Sequence, residues 1–196
     1  MRHGGAFHYE AGPADARFHE LIQQFELYHV SLAHPVTGEV QRLSPEGERI
    51  LSSRQGITSE LTERGRVAFL LWLEPSTCLF CSMVRLKDDV WAERYGLDGI
   101  GTGGAELVVN CLVDLFKQRA AKTVGLAIVV DEFAELYPDF HWDDFVVGDT
   151  HSPPEWPMLL GFSKSFAKLN EIPNHLYVLE TADNYVLFSR IAASVS

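Results

Sequence analysis

Acidic and aromatic residues are concentrated in one stretch of this chain, residues 123–163. The stretch contains eight acidic residues and no Lys or Arg, so it supplies most of the net charge of −11. Its acidic residues are Asp131, Glu132, Glu135, Asp139, Asp143, Asp144, Asp149 and Glu155. The large aromatic residues interleaved with these acids are Phe133, Tyr137, Phe140, Trp142, Phe145 and Trp156. Clustered carboxylates repel one another, which costs stability unless a binding partner uses them.

Three functions of this acidic and aromatic stretch are consistent with its composition. A basic protein partner would be attracted by the carboxylates and anchored by the aromatic rings. A divalent metal would need several converging carboxylates, but the D-x-D-x-D-G loop order is absent. The third use is a solvated acidic face whose rings turn inward to the core. We predict the first use, with the following partner-binding residues: Asp131, Glu132, Glu135, Asp139, Phe140, Trp142, Asp143, Asp144, Asp149, Glu155 and Trp156.

A glycine-rich segment is the second candidate for chemistry. Gly99-Ile100-Gly101-Thr102-Gly103-Gly104 satisfies G-x-G-x-x-G and precedes a predicted helix, so its amides could hold a phosphate at the positive helix end. A dinucleotide site also needs an apolar strand directly before the loop. Residues 89–95 are mixed and charged, so no strand is predicted there and a dinucleotide site is not expected.

Residues 95–137 resemble the coenzyme-A-binding segment of GCN5-related N-acetyltransferases in their order of glycine loop, helix, strand and Ala134-Glu135-Leu136-Tyr137. This resemblance covers about a fifth of the chain. It implies an acyltransferase that would bind its cofactor through Gly99, Gly101, Thr102 and Gly104. The family usually has Arg or Gln where this chain has Gly96, and a carboxylate at Asp98 opposes a pyrophosphate. The alternative is a flexible glycine loop that lets a helix pack closely on a sheet.

The spacing of the cysteine and histidine residues predicts neither a metal site nor a catalytic centre. Cys78 and Cys81 are three residues apart in an apolar strand pattern, so their side chains point to opposite faces. No second Cys or His pair has zinc-ligand spacing, and the total of three cysteines predicts free, buried thiols. The motifs G-x-S-x-G and H-E-x-x-H do not occur. We therefore predict no metal, no cofactor and no catalytic residue.

The overall charge narrows the class of partner. Twenty-seven Asp plus Glu against sixteen Lys plus Arg make a surface that repels nucleic-acid phosphate and anionic lipid. We therefore predict that neither nucleic acid nor a membrane is a partner. Because the first residues lack a signal-peptide core and no apolar run approaches the roughly 18–20 residues of a membrane span, we expect a cytoplasmic protein.

The apolar spacing predicts the elements that position these residues. Residues 1–14 are rich in Gly and Pro and are predicted to be a flexible N-terminal arm. Residues 15–196 are predicted to be a single domain that begins with an amphipathic helix capped by Asp15. Two strands, over residues 26–32 and 39–43, and a helix over residues 44–56 follow.

The remaining elements complete the predicted fold. A hairpin is expected over residues 66–73 and 78–86, then a helix whose apolar stripe is Val108, Cys111, Leu112, Leu115 and Phe116. Later elements are a strand over 123–130, a helix over 158–169 and a hairpin over 176–180 and 185–191. This order predicts an α+β fold with a mixed, mostly antiparallel sheet built from hairpins and packed by about three to four helices.

These observations predict a non-enzymatic acidic binding protein. It would neutralise or mask a basic protein partner, in the manner of an immunity or antitoxin-type inhibitor of a toxin effector. One alternative is a coenzyme-A-dependent N-acyltransferase that uses residues 99–104. Another is a structural or adaptor subunit of a larger assembly.

Overall fold

The structure is a computed structural model that describes residues 4–120, 122, 127–131, 140–148, 153, 155–166, 172 and 176–190. Its strands are β1 (Gly5–Ala11), β2 (Val40–Leu43), β3 (Arg49–Ser52), β4 (Arg66–Glu74), β5 (Thr77–Arg85), β6 (Val90–Gly96), β7 (Ala127–Asp131), β8 (Leu159–Ser163), β9 (Tyr177–Thr181) and β10 (Tyr185–Ser189). Its α-helices are α1 (Ala14–Leu27), α2 (Arg54–Arg64), α3 (Gly101–Ala120) and α4 (Trp142–Val147). In the described part of the chain, no helix combines the length and apolarity needed to cross a membrane.

The ten strands form one sheet in the order β3-β2-β4-β5-β6-β1-β7-β8-β10-β9. Every described strand pair is antiparallel, so the expected α+β sheet built from hairpins is present but contains no parallel pair in the described residues. Strand β1 lies between β6 and β7, which therefore run in the same direction on either side of it. The carboxyl ends of β6 and β7 therefore lie at the same end of the sheet, on either side of the start of β1.

The prediction of a flexible N-terminal arm is wrong for the described residues of the first fourteen, because Gly5–Ala11 form the central strand β1. Ala6, His8 and Glu10 face the α1 and α3 side of the sheet, while Phe7 and Tyr9 face the opposite side. The polar residues His8 and Glu10 obscured this alternation in the sequence. Both are nevertheless buried, because distant charged residues pair with them.

The region after α1 also differs from its prediction. Residues 26–32, predicted as a strand, are the last turn of α1 and an irregular segment joined to β4 by a single bridge. Residues 44–56, predicted as a helix, form a turn, strand β3 and the beginning of α2. The Ser44 hydroxyl accepts hydrogen bonds from turn amides, and Ser53 caps α2 by accepting from the Gly56 amide at 3.0 Å.

Helices α1, α2 and α3 cover one face of the sheet and enclose the larger core. The predicted first helix is confirmed, although its N-cap is Pro13 and not Asp15. The β4–β5 hairpin and the apolar stripe of α3 are also confirmed, and the stripe is fully buried. Helix α4 packs on the opposite face, over β1, β7 and β8, in a second core. Residues 159–163, predicted to be helical, are strand β8, which pairs with β7 and β10 and has buried residues on both of its faces.

Candidate functional site

Half of the acidic residues predicted to bind a partner are described by the structure. Glu132, Glu135, Asp139 and Asp149 lie outside the described residues. Three of the other four carboxylates have partners within the fold. The Trp142 indole donates to Asp131 at 2.7 Å, and Arg190 forms an ion pair with Glu155 at 2.6 Å.

The third internal carboxylate fixes α4 to the sheet. Asp143 forms an ion pair with Arg94 of β6 and accepts a hydrogen bond of 2.9 Å from the buried hydroxyl of Tyr9. Burial raises the pKa of Tyr9 well above its ordinary value, and the neighbouring Asp143 carboxylate raises it further. Arginine residues from other parts of the chain therefore neutralise carboxylates of the acidic stretch. The composition of the stretch alone did not reveal these partners. Asp144, the remaining described carboxylate, is exposed.

Four aromatic side chains of this stretch form a continuous row on the sheet. The rings of Phe140 and Trp142, of Trp142 and Phe145, and of Phe145 and Trp156 meet edge to face, with centroid distances of 5.1, 5.6 and 5.9 Å. We call these four side chains the aromatic row. Trp142 and Phe145 are buried, whereas Phe140 and Trp156 at its two ends are half-buried. The fold thus buries the middle of the row and leaves both ends accessible.

The glycine-rich segment joins β6 to α3. The sequence predicted no strand before this loop, and that prediction is wrong, since β6 runs to Gly96 and is paired on both sides. Gly101 begins α3 with a φ of +70°, a conformation that favours glycine. A Cβ at Gly104 would lie 3.1 Å from Leu73, so this glycine lets α3 pack closely on the sheet. Asp98 accepts a hydrogen bond of 3.1 Å from the Gly4 amide and ties the loop to β1.

A cleft of about 750 Å³ opens where β6 and β7 end and β1 begins. Among the described residues, its apolar lining is Leu97, Ala105, Val109, Val130 and Met158. Its polar side chains are Thr102, Glu106, Asn110 and Asp131. No Lys, Arg or His is among the described residues that line it. The cleft therefore has mainly apolar walls, and sequence reasoning missed it because its residues come from distant parts of the chain.

An ionic network lies beneath the helices, buried between α1, α3 and the sheet. Glu93 accepts from Arg119 at 3.0 Å and from Tyr95 at 3.0 Å, and its carboxylate lies 2.9 Å from Nδ1 of His8. Because an ionised carboxylate only accepts, that His8 nitrogen carries the proton. Glu10 forms ion pairs of 3.1 Å with both Arg119 and Arg17.

Burial would raise the pKa of Glu93, but Arg119 and His8 together hold it well below its ordinary value. The carboxylate therefore remains charged inside the protein. Sequence analysis missed this network, although Arg119 continues the apolar stripe of α3 one turn after Leu115 and Phe116 and so marks a buried position. The network joins Arg17 of α1 and Arg119 of α3 to strands β1 and β6, and so it holds both helices on the sheet.

The three cysteines are free thiols, and Cys81 and Cys111 are buried. Cys81 faces the helices and Cys78 faces the other side of β5, as the strand geometry predicted. In the part of the chain that the structure describes, no three His, Cys, Asp or Glu side chains converge as a metal site would require.

Comparison with protein-family models, with curated proteins and with solved structures found no match to this chain. The geometry of the acidic stretch, the aromatic row and the cleft is therefore the basis for a functional proposal.

Proposed function

We propose that this chain is a non-enzymatic, cytoplasmic binding protein that neutralises or masks a basic protein partner, as immunity and antitoxin-type inhibitors do. The observation that carries the proposal is the aromatic row, whose half-buried ends lie in the same acidic stretch as the exposed Asp144. Interfaces with high affinity combine accessible aromatic anchors with charges complementary to the partner. The described part of this stretch contains two accessible aromatic side chains and one exposed carboxylate, which supports the proposal.

The row is held rigidly before any partner arrives. The hydrogen bond from Trp142 to Asp131 and the Asp143–Arg94 ion pair fix α4 on the sheet. Because ordering side chains on binding costs free energy, a preorganised row binds more tightly than a mobile one. The contacts that Asp131 and Asp143 make within the fold thus support binding by holding the row in place.

The net charge of −11 supports a basic partner over an acidic one. Long-range attraction between oppositely charged proteins raises the association rate and falls steeply with ionic strength. A partner that reaches the row should therefore associate more slowly at 150 mM NaCl than at 20 mM NaCl.

The test takes as partner any basic protein that a gene neighbouring this chain's gene encodes, with association measured by stopped-flow fluorescence at both salt concentrations. We expect the double variant Asp144→Lys, Trp156→Ala to associate about tenfold more slowly. The matched control is Glu46→Lys, an exposed charge reversal in the β2–β3 turn, which should change the rate little. Unchanged association and unchanged salt dependence in the double variant would remove the support for this interface.

A coenzyme-A-dependent N-acyltransferase is the second candidate, favoured by the order β6, glycine loop, α3 and β7. Asp98 and Glu106, both exposed near the start of α3, would oppose the phosphates of coenzyme A. We therefore expect calorimetric titration with acetyl-coenzyme A to give no saturable binding. Micromolar binding that is lost in Gly103→Glu would make the acyltransferase the better proposal. This substitution fits the backbone, because a Cβ at Gly103 meets no other atom within 4 Å.

A further inference from the structure

The half-buried thiol of Cys78 lies in a cluster of side chains with Trp72 and Arg49. Cys78 is directly opposite Trp72 in the register of β4 and β5, so both side chains lie on the face of the sheet away from the three long helices. A guanidinium nitrogen of Arg49, from β3, lies 3.9 Å from the Cys78 sulfur. The guanidinium carbon is 5.8 Å from the centre of the Trp72 ring. The thiol is therefore accessible and has a cationic neighbour.

The guanidinium of Arg49 is available to an anion. Its side chain contacts Cys78 and Trp72, and no carboxylate of the described residues pairs with it. Arg54, which is also exposed, pairs instead with Glu26. Arg49 thus provides a local attraction for an anion in a chain whose net charge of −11 repels anions.

The imidazole of His34 is close to this cluster but does not act as a base for the thiol. Its Nε2 lies 3.1 Å from the carbonyl oxygen of Pro75, and its Nδ1 lies 3.2 Å from two backbone amides of the following turn. Because a carbonyl only accepts and an amide N–H only donates, Nε2 carries the proton and Nδ1 accepts. In the described part of the chain, Arg49 is therefore the charged side chain in contact with Cys78.

The indole of Trp72 gives a second, independent indication of a ligand. Trp72 is only 5% exposed, and its Nε1 has no hydrogen-bond acceptor among the described residues. A buried donor without an acceptor costs free energy, and buried indole N–H groups usually have a partner. A carbonyl or carboxylate oxygen of a group attached to Cys78, on the same face of the sheet, would supply the missing acceptor.

Thiol–disulfide exchange with a small acidic disulfide would use all three side chains. The Cys78 thiolate attacks one sulfur of the disulfide, a new S–S bond forms to Cys78, and the S–S bond of the reagent breaks. One half of the reagent stays on the protein, and the other half leaves as a thiolate that takes up the proton lost by Cys78. Cys78 is thereby oxidised and the released half is reduced, so the disulfide itself is the oxidant. Arg49 pairs with a carboxylate of the reagent, and Trp72 donates to the attached half.

We propose that Cys78 is a reversible modification site for small acidic disulfides such as glutathione disulfide, with Arg49 selecting the anionic reagent and Trp72 stabilising the adduct. Cys81 and Cys111 are excluded because they are buried. A free thiol reverses the modification by the same exchange. This site is independent of the proposed function.

The experiment reacts the full chain at pH 8 and low salt with glutathione disulfide and, separately, with cystamine, a disulfide with two cationic amino groups. Peptide mass spectrometry locates the adduct and gives both rates. We expect the folded protein to form an adduct on Cys78 alone. Arg49→Gln should slow the reaction with glutathione disulfide about two- to fivefold and should not slow the reaction with cystamine. The matched control is Arg66→Gln, at the other end of β4, which should leave both rates unchanged.

Trp72→Phe tests the stabilisation of the adduct, because it keeps an aromatic ring and removes the donor. The Cys78 adduct of this variant should be about two- to tenfold easier to reduce with free glutathione, in a protein shown to be folded by circular dichroism. An equally stable adduct would overturn the role of Trp72.

The inference as a whole is overturned by any of three results. The folded protein forms no adduct at Cys78, Arg49→Gln slows both reagents equally, or Arg66→Gln slows the glutathione disulfide reaction as much as Arg49→Gln does. The measurements need no protein partner, so their failure leaves the proposed function as it stands.

Discussion

At the scale of single residues, the internal charges explain more of the stability than the exposed ones. Glu93 is fully buried and bonded to Arg119, His8 and Tyr95, which come from three different elements. Removing one partner of such a buried pair leaves the other charge uncompensated in a low-dielectric interior. An exposed ion pair, by contrast, contributes little because water screens it.

Glu93→Gln should therefore lower the free energy of unfolding by about 3–5 kcal/mol at pH 7. The matched control is Glu26→Gln, which breaks an exposed pair of 2.8 Å with Arg54 and should cost less than about 1 kcal/mol. Urea unfolding followed by circular dichroism measures both values. Equal losses in the two variants would contradict a stabilising role for the buried network.

The same residue predicts how stability depends on pH. The pKa of Glu93 is lower in the folded than in the unfolded chain, so its contribution is complete above the ordinary value of 4.5 and declines as the pH falls below it. The wild-type free energy of unfolding should decrease between about pH 6 and pH 3, and Glu93→Gln should show a smaller decrease. Parallel urea titrations across this range measure the difference. Identical pH profiles would show that Glu93 is not the responsible group.

Thiol reactivity separates the three cysteines. Burial raises the pKa of Cys81 well above its ordinary value, and burial together with Asp114 raises the pKa of Cys111 to about 12. Only the half-buried Cys78 should react with Ellman's reagent in the native protein at pH 8, and all three should react in urea. Cys78→Ser should remove the native-state reaction. A second thiol that reacts at the native rate would contradict the described packing.

At the scale of elements, strand β8 shows how tightly the sheet packs beneath α3. A Cβ at Gly161 would lie 2.5 Å from Ile128 in β7 and 2.6 Å from Leu187 in β10. Both neighbours belong to the flanking strands, so they cannot both move away without disturbing the core. The absence of a side chain at Gly161 is therefore a packing requirement and not a feature of a turn.

Gly161→Ala should destabilise the protein by about 1–3 kcal/mol through overpacking. Gly96→Ala is the matched control, because its new Cβ would lie 3.7 Å from the nearest atom, in Phe80, at ordinary contact distance. The control should change stability by less than about 1 kcal/mol. Thermal unfolding of both variants measures the difference, and a neutral Gly161→Ala would show that the strands are more loosely packed than described.

At the scale of the whole molecule, β1 joins two groups of strands. It pairs with β6 on one side and with β7 on the other, and in the described residues no other strand pair connects the two groups. The two halves of the sheet, formed by sequence-distant segments, thus depend on seven residues near the N-terminus.

Ala6→Asp should destabilise the protein by more than about 3 kcal/mol, because it places an uncompensated carboxylate in the core. Since β1 serves both halves, tryptophan fluorescence and far-UV circular dichroism should report one shared unfolding transition shifted to lower urea. Ala11→Asp, at the exposed end of the same strand, should have little effect. A mild effect of Ala6→Asp would mean that β1 is not essential to the sheet.

The sequence by itself determined the elements whose apolar residues repeat locally. Helices α1 and α3 and the β4–β5 hairpin have this character, because their periodicity depends only on neighbours along the chain. The acidic excess and the stretch that holds most of it were also evident from composition.

Only the tertiary structure decided the features that depend on distant residues. His8 and Glu10 are residue types typical of the surface, but inside the fold His8 pairs with Glu93, and Glu10 pairs with Arg119 and Arg17. The sequence pattern therefore did not indicate strand β1. Arg94 and Arg190 likewise supply counter-charges to an acidic stretch that contains none. The cleft combines Gly4, Glu106 and Met158, which only long-range strand pairing brings together. Such pairings depend on the burial of charges and surfaces that are far apart in the chain. The spacing of neighbouring residues in the sequence therefore cannot predict them.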